Sequence, residues 1–188
     1  MHSYTEEQFT PANFPEHEFS GSEFEDCTFS NCDLTEMDLS KATFIDCLFE
    51  DCNLSMVKLT QTILNQVNFN RCKMIGIHFT VCNPFLLSFS FAECDLNYSN
   101  FERLKIKKTR FLNCKLQETN FSDAELTRSS FNGSDFEKAT FSYTNLSETD
   151  FRNALNYSID PEQNNIKKAR FSLDGVKGLL EKYQISVD

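Results

Sequence analysis

The side chains able to do chemistry are eight cysteines, three histidines and 28 carboxylates, and their spacing decides what they can be used for. Cys27, Cys32, Cys47, Cys52, Cys72, Cys82, Cys94 and Cys114 invite a metal reading. Structural zinc needs close cysteine pairs and four ligands converging on one point. No two of these cysteines lie nearer than five residues. A thiol outside such a site behaves as a small buried hydrophobe, so packing is the expected role. His2, His17 and His78 belong to no nucleophile–base motif, and no Gly-rich phosphate loop is present. The sequence therefore predicts a protein that is not an enzyme, with no metal and no cofactor. Met1–Gln8 has neither a basic start nor an apolar core, and no apolar run nears the roughly 18 residues of a membrane span. The expectation is a cytoplasmic protein with reduced thiols and no membrane contact.

Whatever positions these residues is not a set of hairpins, because only 5 Gly and 4 Pro are available for turns. A five-residue step explains the composition instead. From Phe9 it lands on Phe14, Phe19, Phe24, Phe29, Leu34, Leu39, Phe44, Phe49, Leu54, Leu59, Leu64, Phe69, Met74 and Phe79. At Pro84 the register slips by two. It resumes at Leu86 and continues through Phe91, Leu96, Phe101, Ile106, Phe111, Leu116, Phe121, Leu126, Phe131, Phe136, Phe141, Leu146 and Phe151. The position two before each centre is mostly small, and all eight cysteines fall in it. The other three positions are polar. Two inward and three outward residues per five match neither strand nor helix, but suit a chain that turns a corner every five residues and stacks its turns.

Units such as Cys32-Asp33-Leu34, Cys52-Asn53-Leu54, Cys94-Asp95-Leu96 and Thr144-Asn145-Leu146 resemble the A(D/N)LXX consensus of the pentapeptide-repeat family. The resemblance implies an all-β fold, a right-handed quadrilateral β-helix with four pentapeptides per coil. The spacing of 20 then stacks Phe9, Phe29, Phe49 and Phe69 in one column. With the slip added, the column continues to Phe91, Phe111, Phe131 and Phe151. A second predicted column is Leu86, Ile106, Leu126 and Leu146. The pattern predicts about seven coils, with the β-helix over 1–156, the slip near 80–86, and a C-terminal element over 157–188. There Ser172 is placed to cap a short helix carrying Leu173, Val176, Leu179, Leu180 and Tyr183 on one side, as a cap over the open end or a dimer surface.

Charge is distributed unevenly. Residues 1–50 hold 12 acids against one base, Lys41, while the rest of the chain is close to balanced. Glu16, Glu18, Glu23, Glu25, Asp26, Asp33, Glu36, Asp38 and Asp46 make the candidate acidic surface for a basic partner. Arg103, Lys105, Lys107, Lys108 and Arg110 form a local basic edge, and no direct nucleic-acid contact is expected of a chain this acidic.

The tail units Ile159-Asp160-Pro161 and Leu179-Leu180-Glu181, with Gly76-Ile77-His78-Phe79 and Glu93-Cys94-Asp95-Leu96, are similar to Qnr-type members of that family. This resemblance implies a homodimer joined through the C-terminal ends. It also implies binding to DNA gyrase and topoisomerase IV as a mimic of duplex DNA, with protection from quinolones. The residues themselves leave open a general scaffold that binds another protein without mimicry.

Overall fold

The computed structural model describes residues 2–14 and 19–186. Short strands stack in parallel, each one coil above the last. Strands β1 (Ser3–Thr5), β3 (Glu23–Glu25), β5 (Thr43–Ile45) and β7 (Ile63–Asn65) form one wall, in register 20 residues apart. A second wall has β2 (Gln8–Phe9), β4 (Thr28–Ser30), β6 (Leu48–Glu50), β8 (Val67–Asn70), β9 (Phe89–Ala92) and β10 (Phe111–Leu112). Two further walls are built from single parallel bridges such as Asp33↔Asn53 and Asp38↔Lys58. Above β10 every wall is of that kind. The result is the four-sided β-helix that the repeat predicts.

The interior is the Phe column. Phe9, Phe29, Phe49, Phe69, Phe91, Phe111, Phe131, Phe151 and Phe171 stack with centroids 4.5 to 5.4 Å apart. That is eight coil-to-coil steps, of which the named strands of the second wall cover five. Phe171 carries the column into the last repeat units, where the pattern is expected to return after the run that ends at Phe151. Rings from opposite walls meet edge-on across the interior, as Phe111 and Phe121 do at 89°. Each buried ring contributes about 1.5–3 kcal/mol, with about 0.5–1.5 kcal/mol more from each ring pair. All eight cysteines are buried and free.

The scarcity of glycine has a backbone cause. Corner residues at five-residue spacing adopt φ of 50 to 63°, and most are charged or amide side chains: Asp26, Asn31, Glu36, Lys41, Asp46 and Asp51 begin the series. This conformation costs a non-Gly residue about 1–2 kcal/mol. Coil-to-coil hydrogen bonds offset it, since most corner N–H groups find a carbonyl one coil on: Asp26 to Ile45 at 3.0 Å, Asp46 to Asn65 at 2.9 Å.

One expectation needs correction. Leu86 is not an inward centre; it is exposed at φ 56°. Asn83 N–H donates to the Thr62 carbonyl and Ser88 N–H to that of Leu64, both at 2.9 Å, so 84–87 leaves the wall between two anchors. Pro84 has no N–H to keep a ladder bond there. Phe85 and Leu86 end up in solvent, Leu87 packs partly on the core, and the aliphatic column starts at Ile106. The C-terminal helix is 3-10 over Asp174–Leu179 and Glu181–Tyr183. A 3-10 helix puts residues three apart in one line. Gly175 and Gly178 both lie against Tyr157, where an added Cβ would stand 2.3 Å from the phenol oxygen and 2.1 Å from the carbonyl.

Candidate protein-interaction surfaces

The acidic residues are positioned by β3, β5 and the corner that follows each. Glu23 and Glu25 point outward on either side of buried Phe24, with Asp26 at the corner. Asp46 stands one coil above Asp26 and Glu6 one coil below, giving a file of carboxylates at coil spacing. Among the described residues, none of Glu6, Glu23, Glu25, Asp26 and Asp46 makes an ion pair. Glu16 and Glu18 lie outside the described residues.

The remaining predicted acids do not join that file. Asp33, Glu36 and Asp38 lie on the next walls and the corner between them. Asp33 Oδ1 accepts the Thr35 N–H at 3.0 Å and Asp38 Oδ1 the Ser40 N–H at 2.9 Å. The Thr35 and Ser40 hydroxyls, and then these N–H bonds, hold both carboxyls below the ordinary range. Further along, Arg71 neutralises a potential extension: its guanidinium reaches Asp51 at 2.8 Å and Glu50 at 2.9 Å. Sequence reading missed this, although Arg71 is one coil beyond Asp51. The same spacing of 20 joins Arg128 to Glu148 at 2.9 Å and Arg103 to Asp123 at 3.6 Å.

At the C-terminal end, Ile159 N–H donates to the Gly178 carbonyl at 2.9 Å, and Lys182 pairs with Asp160 and Glu162 at 2.6 and 2.7 Å. Ser172 Oγ accepts the Gly175 N–H at 3.2 Å, the capping role expected of it. The five apolar residues predicted here split between two surroundings. Leu179 packs on the core, Val176 and Leu180 are half-buried, and Leu173 is 90% exposed with Tyr183 largely so. Among the described residues the buried Tyr157 hydroxyl finds no hydrogen-bond partner, and burial pushes its pKa up to about 12.

Burial pushes up the thiols of Cys27, Cys32, Cys47 and Cys82, Cys47 to about 12, whereas a hydrogen bond with Cys94 lowers that of Cys114. Each column thiol donates to carbonyls, as Cys47 does to Phe24 at 3.3 Å and Ile45 at 3.4 Å. Among the described residues no three His, Cys, Asp or Glu side chains are grouped to hold a metal. No described helix is long and apolar enough to cross a membrane.

A rod of stacked five-residue units with a ring-filled interior is a repeat β-solenoid. The family model described as the pentapeptide repeat region matches residues 22–101 and 104–178, and the chain belongs to that family. Comparison with curated proteins gives no match. Among solved structures, a trypsin-treated form of QnrB1, a plasmid-mediated fluoroquinolone resistance protein, is similar with a TM-score of 0.61 and 20% identity, over 100% of this chain and 97% of that one. HetL, a pentapeptide repeat protein involved in heterocyst differentiation regulation from the cyanobacterium Nostoc sp., gives 0.51 and 15%, over 82% and 87%. At these identities the likeness shows the fold alone.

Proposed function

We propose that the protein is a non-catalytic interaction solenoid whose first coils present free carboxylates to a basic protein surface. The partner is DNA gyrase or topoisomerase IV, engaged as duplex DNA would be, with protection from quinolones as the consequence. The observation that carries this reading is the file of Glu6, Asp26 and Asp46, flanked by Glu23 and Glu25, with no cation paired to it among the described residues. Carboxylates repeated at coil spacing along a narrow rod can occupy a groove built for phosphates. The Qnr-like tail units and the structural likeness to a fluoroquinolone resistance protein support it. The copies join through their C-terminal ends, where Leu173 and Ile185 stand exposed. A mass of one chain by light scattering would overturn the dimer.

A second reading, a general scaffold for another protein, is favoured by one feature. Asp33, Glu36 and Asp38 face other walls, so the predicted acids do not form a single surface.

The deciding experiment is a supercoiling assay with purified gyrase, titrating the protein with and without a quinolone. Inhibition or drug protection at about micromolar protein is expected, weakening steeply as salt rises. It should be lost when Glu23→Gln, Glu25→Gln, Asp26→Asn and Asp46→Asn are combined. A flat response from folded protein would remove the topoisomerase reading and leave the scaffold.

A further inference from the structure

The wall that carries β1, β3, β5 and β7 changes character along the rod. Its outward residues are Glu23, Glu25 and Asp26 at one level, and Thr43, Ile45 and Asp46 at the next. Ile63, Asn65 and Gln66 follow, and then the excursion with Phe85 and Leu86 exposed. The stack of Phe79 on Phe101, centroids 4.6 Å apart, carries the count across the slip. Lys105, Lys107 and Lys108 therefore stand at the level above. The excursion touches that level, since Pro84 and Leu87 share a small cavity with Arg103, Leu104 and Lys105. The order is acid, apolar with Asp46 at its corner, neutral, apolar, base.

We infer that this wall is a self-complementary surface on which a second copy of the chain docks antiparallel, about a two-fold axis lying along the strand direction through Ile63–Gln66. A two-fold contact requires residue i to meet j while j meets i. Reversing the rod about that level places Glu23 against Lys105, Glu25 against Lys107 and Asp26 against Lys108, each twice. It also seats Phe85 of either copy on Ile45 of the other. A parallel arrangement would set acid on acid and base on base. Among the described residues Glu23, Glu25, Asp26, Lys105 and Lys108 make no ion pair within the chain, while Lys107 reaches Glu125 at only 3.7 Å. The exposed excursion is thereby given apolar cover that the rod itself does not supply. Five levels at about 4.8 Å spacing make a narrow face, so the association is weak and salt-sensitive. It does not rest on the topoisomerase reading and is separate from the contact at the C-terminal ends.

Gln66 is exposed and lies at the axis, and all eight native thiols are buried, so Gln66→Cys offers one reactive site. In the full-length protein a short bis-maleimide should link two copies at this position, with a yield that falls as salt is raised. Glu118→Cys, on a corner away from this wall, should give little product and serves as the background. Lys105→Glu with Lys108→Glu should cut the yield at least about tenfold, and adding Glu23→Lys with Asp26→Lys should restore it. An end-to-end dimer keeps the two Gln66 positions far apart and gives no signal. Linkage no greater than that of Glu118→Cys, or a charge swap that fails to restore it in folded protein, would overturn the proposal.

Discussion

Between Phe24 and Asn70 the rod turns through open corners after β3, β4, β5 and β6, and adjacent walls run as strands. From Phe121 onward the corners after Phe121, Leu126, Phe131, Phe136, Leu146 and Phe151 close with a backbone bond from the third residue on, at 2.8 to 3.2 Å. The residue following the corner differs between the two regions. It is Cys27, Cys32, Cys47 and Cys52 in the first, and Ala124, Ser129, Ser134, Ala139, Thr149 and Ala154 in the second. Met37 and Val57 also close their corners, so bulk is not the cause. Each of those four thiols donates to the carbonyl two residues before it, at 3.3 to 3.4 Å. That interaction accompanies the open corner at these four positions, whereas Cys82 closes its corner with a bond to the Phe79 carbonyl at 3.1 Å and the corner before Val67 is open without a thiol. Both regions share the same ring column. The corner chemistry is therefore set independently of the core.

That independence can be broken in order of size. Phe49→Ala and Phe131→Ala should each cost about 3–5 kcal/mol in urea unfolding. A marked inequality between them would show that the open-cornered half is a weaker segment of the rod. Cys47→Ala with Cys52→Ala should cost about 1–2 kcal/mol per site and convert both corners to the closed form, visible as two new protected amides in hydrogen exchange. Unchanged amide protection would remove the thiol as the cause. Tyr157→Phe removes an unsatisfied buried hydroxyl at the closed-cornered end and should raise stability by up to about 1 kcal/mol. The smallest effect concerns acid. Thr35 and Ser40 depress the pKa values of Asp33 and Asp38, and a depressed folded pKa stabilises above the unfolded value, about 4. This contribution is lost as pH falls through the lower folded value. Asp33→Asn with Asp38→Asn should therefore flatten the acid limb of the stability curve below about pH 4, measured by thermal melts.

Much of this was legible in the residues. The five-residue step identified nearly every buried centre, and the spacing of 20 placed the Phe columns; the same spacing joins Asp51 to Arg71, a pair the reading did not draw from it. Leu86 was misplaced because an apolar residue at the expected spacing carries no signal of backbone departure, whereas Pro84 just before it does. The short helix over the tail is present, but the spacing of Leu173, Val176, Leu179 and Leu180 does not specify its 3-10 form. The constraint came from Gly175 and Gly178, which are needed at a spacing of three to clear Tyr157. The acids were identified one by one, but their wall depends on counting corners, which separates Asp33, Glu36 and Asp38 from Asp26.

The left-handed corners have a consequence for how such a chain can change over evolutionary time. A corner is specified by its backbone bond to the next coil, so Asp26, Lys41, Met56, Arg71 and Tyr98 all occupy equivalent bends. Only the ring or aliphatic centre, and the compact residue two before it, are held by the interior. Most of the exterior can be rewritten rung by rung while the rod persists. An alignment spanning the full chain at 20% identity is what that freedom produces, and the surface that recognises a partner is then the part of the sequence free to turn over fastest.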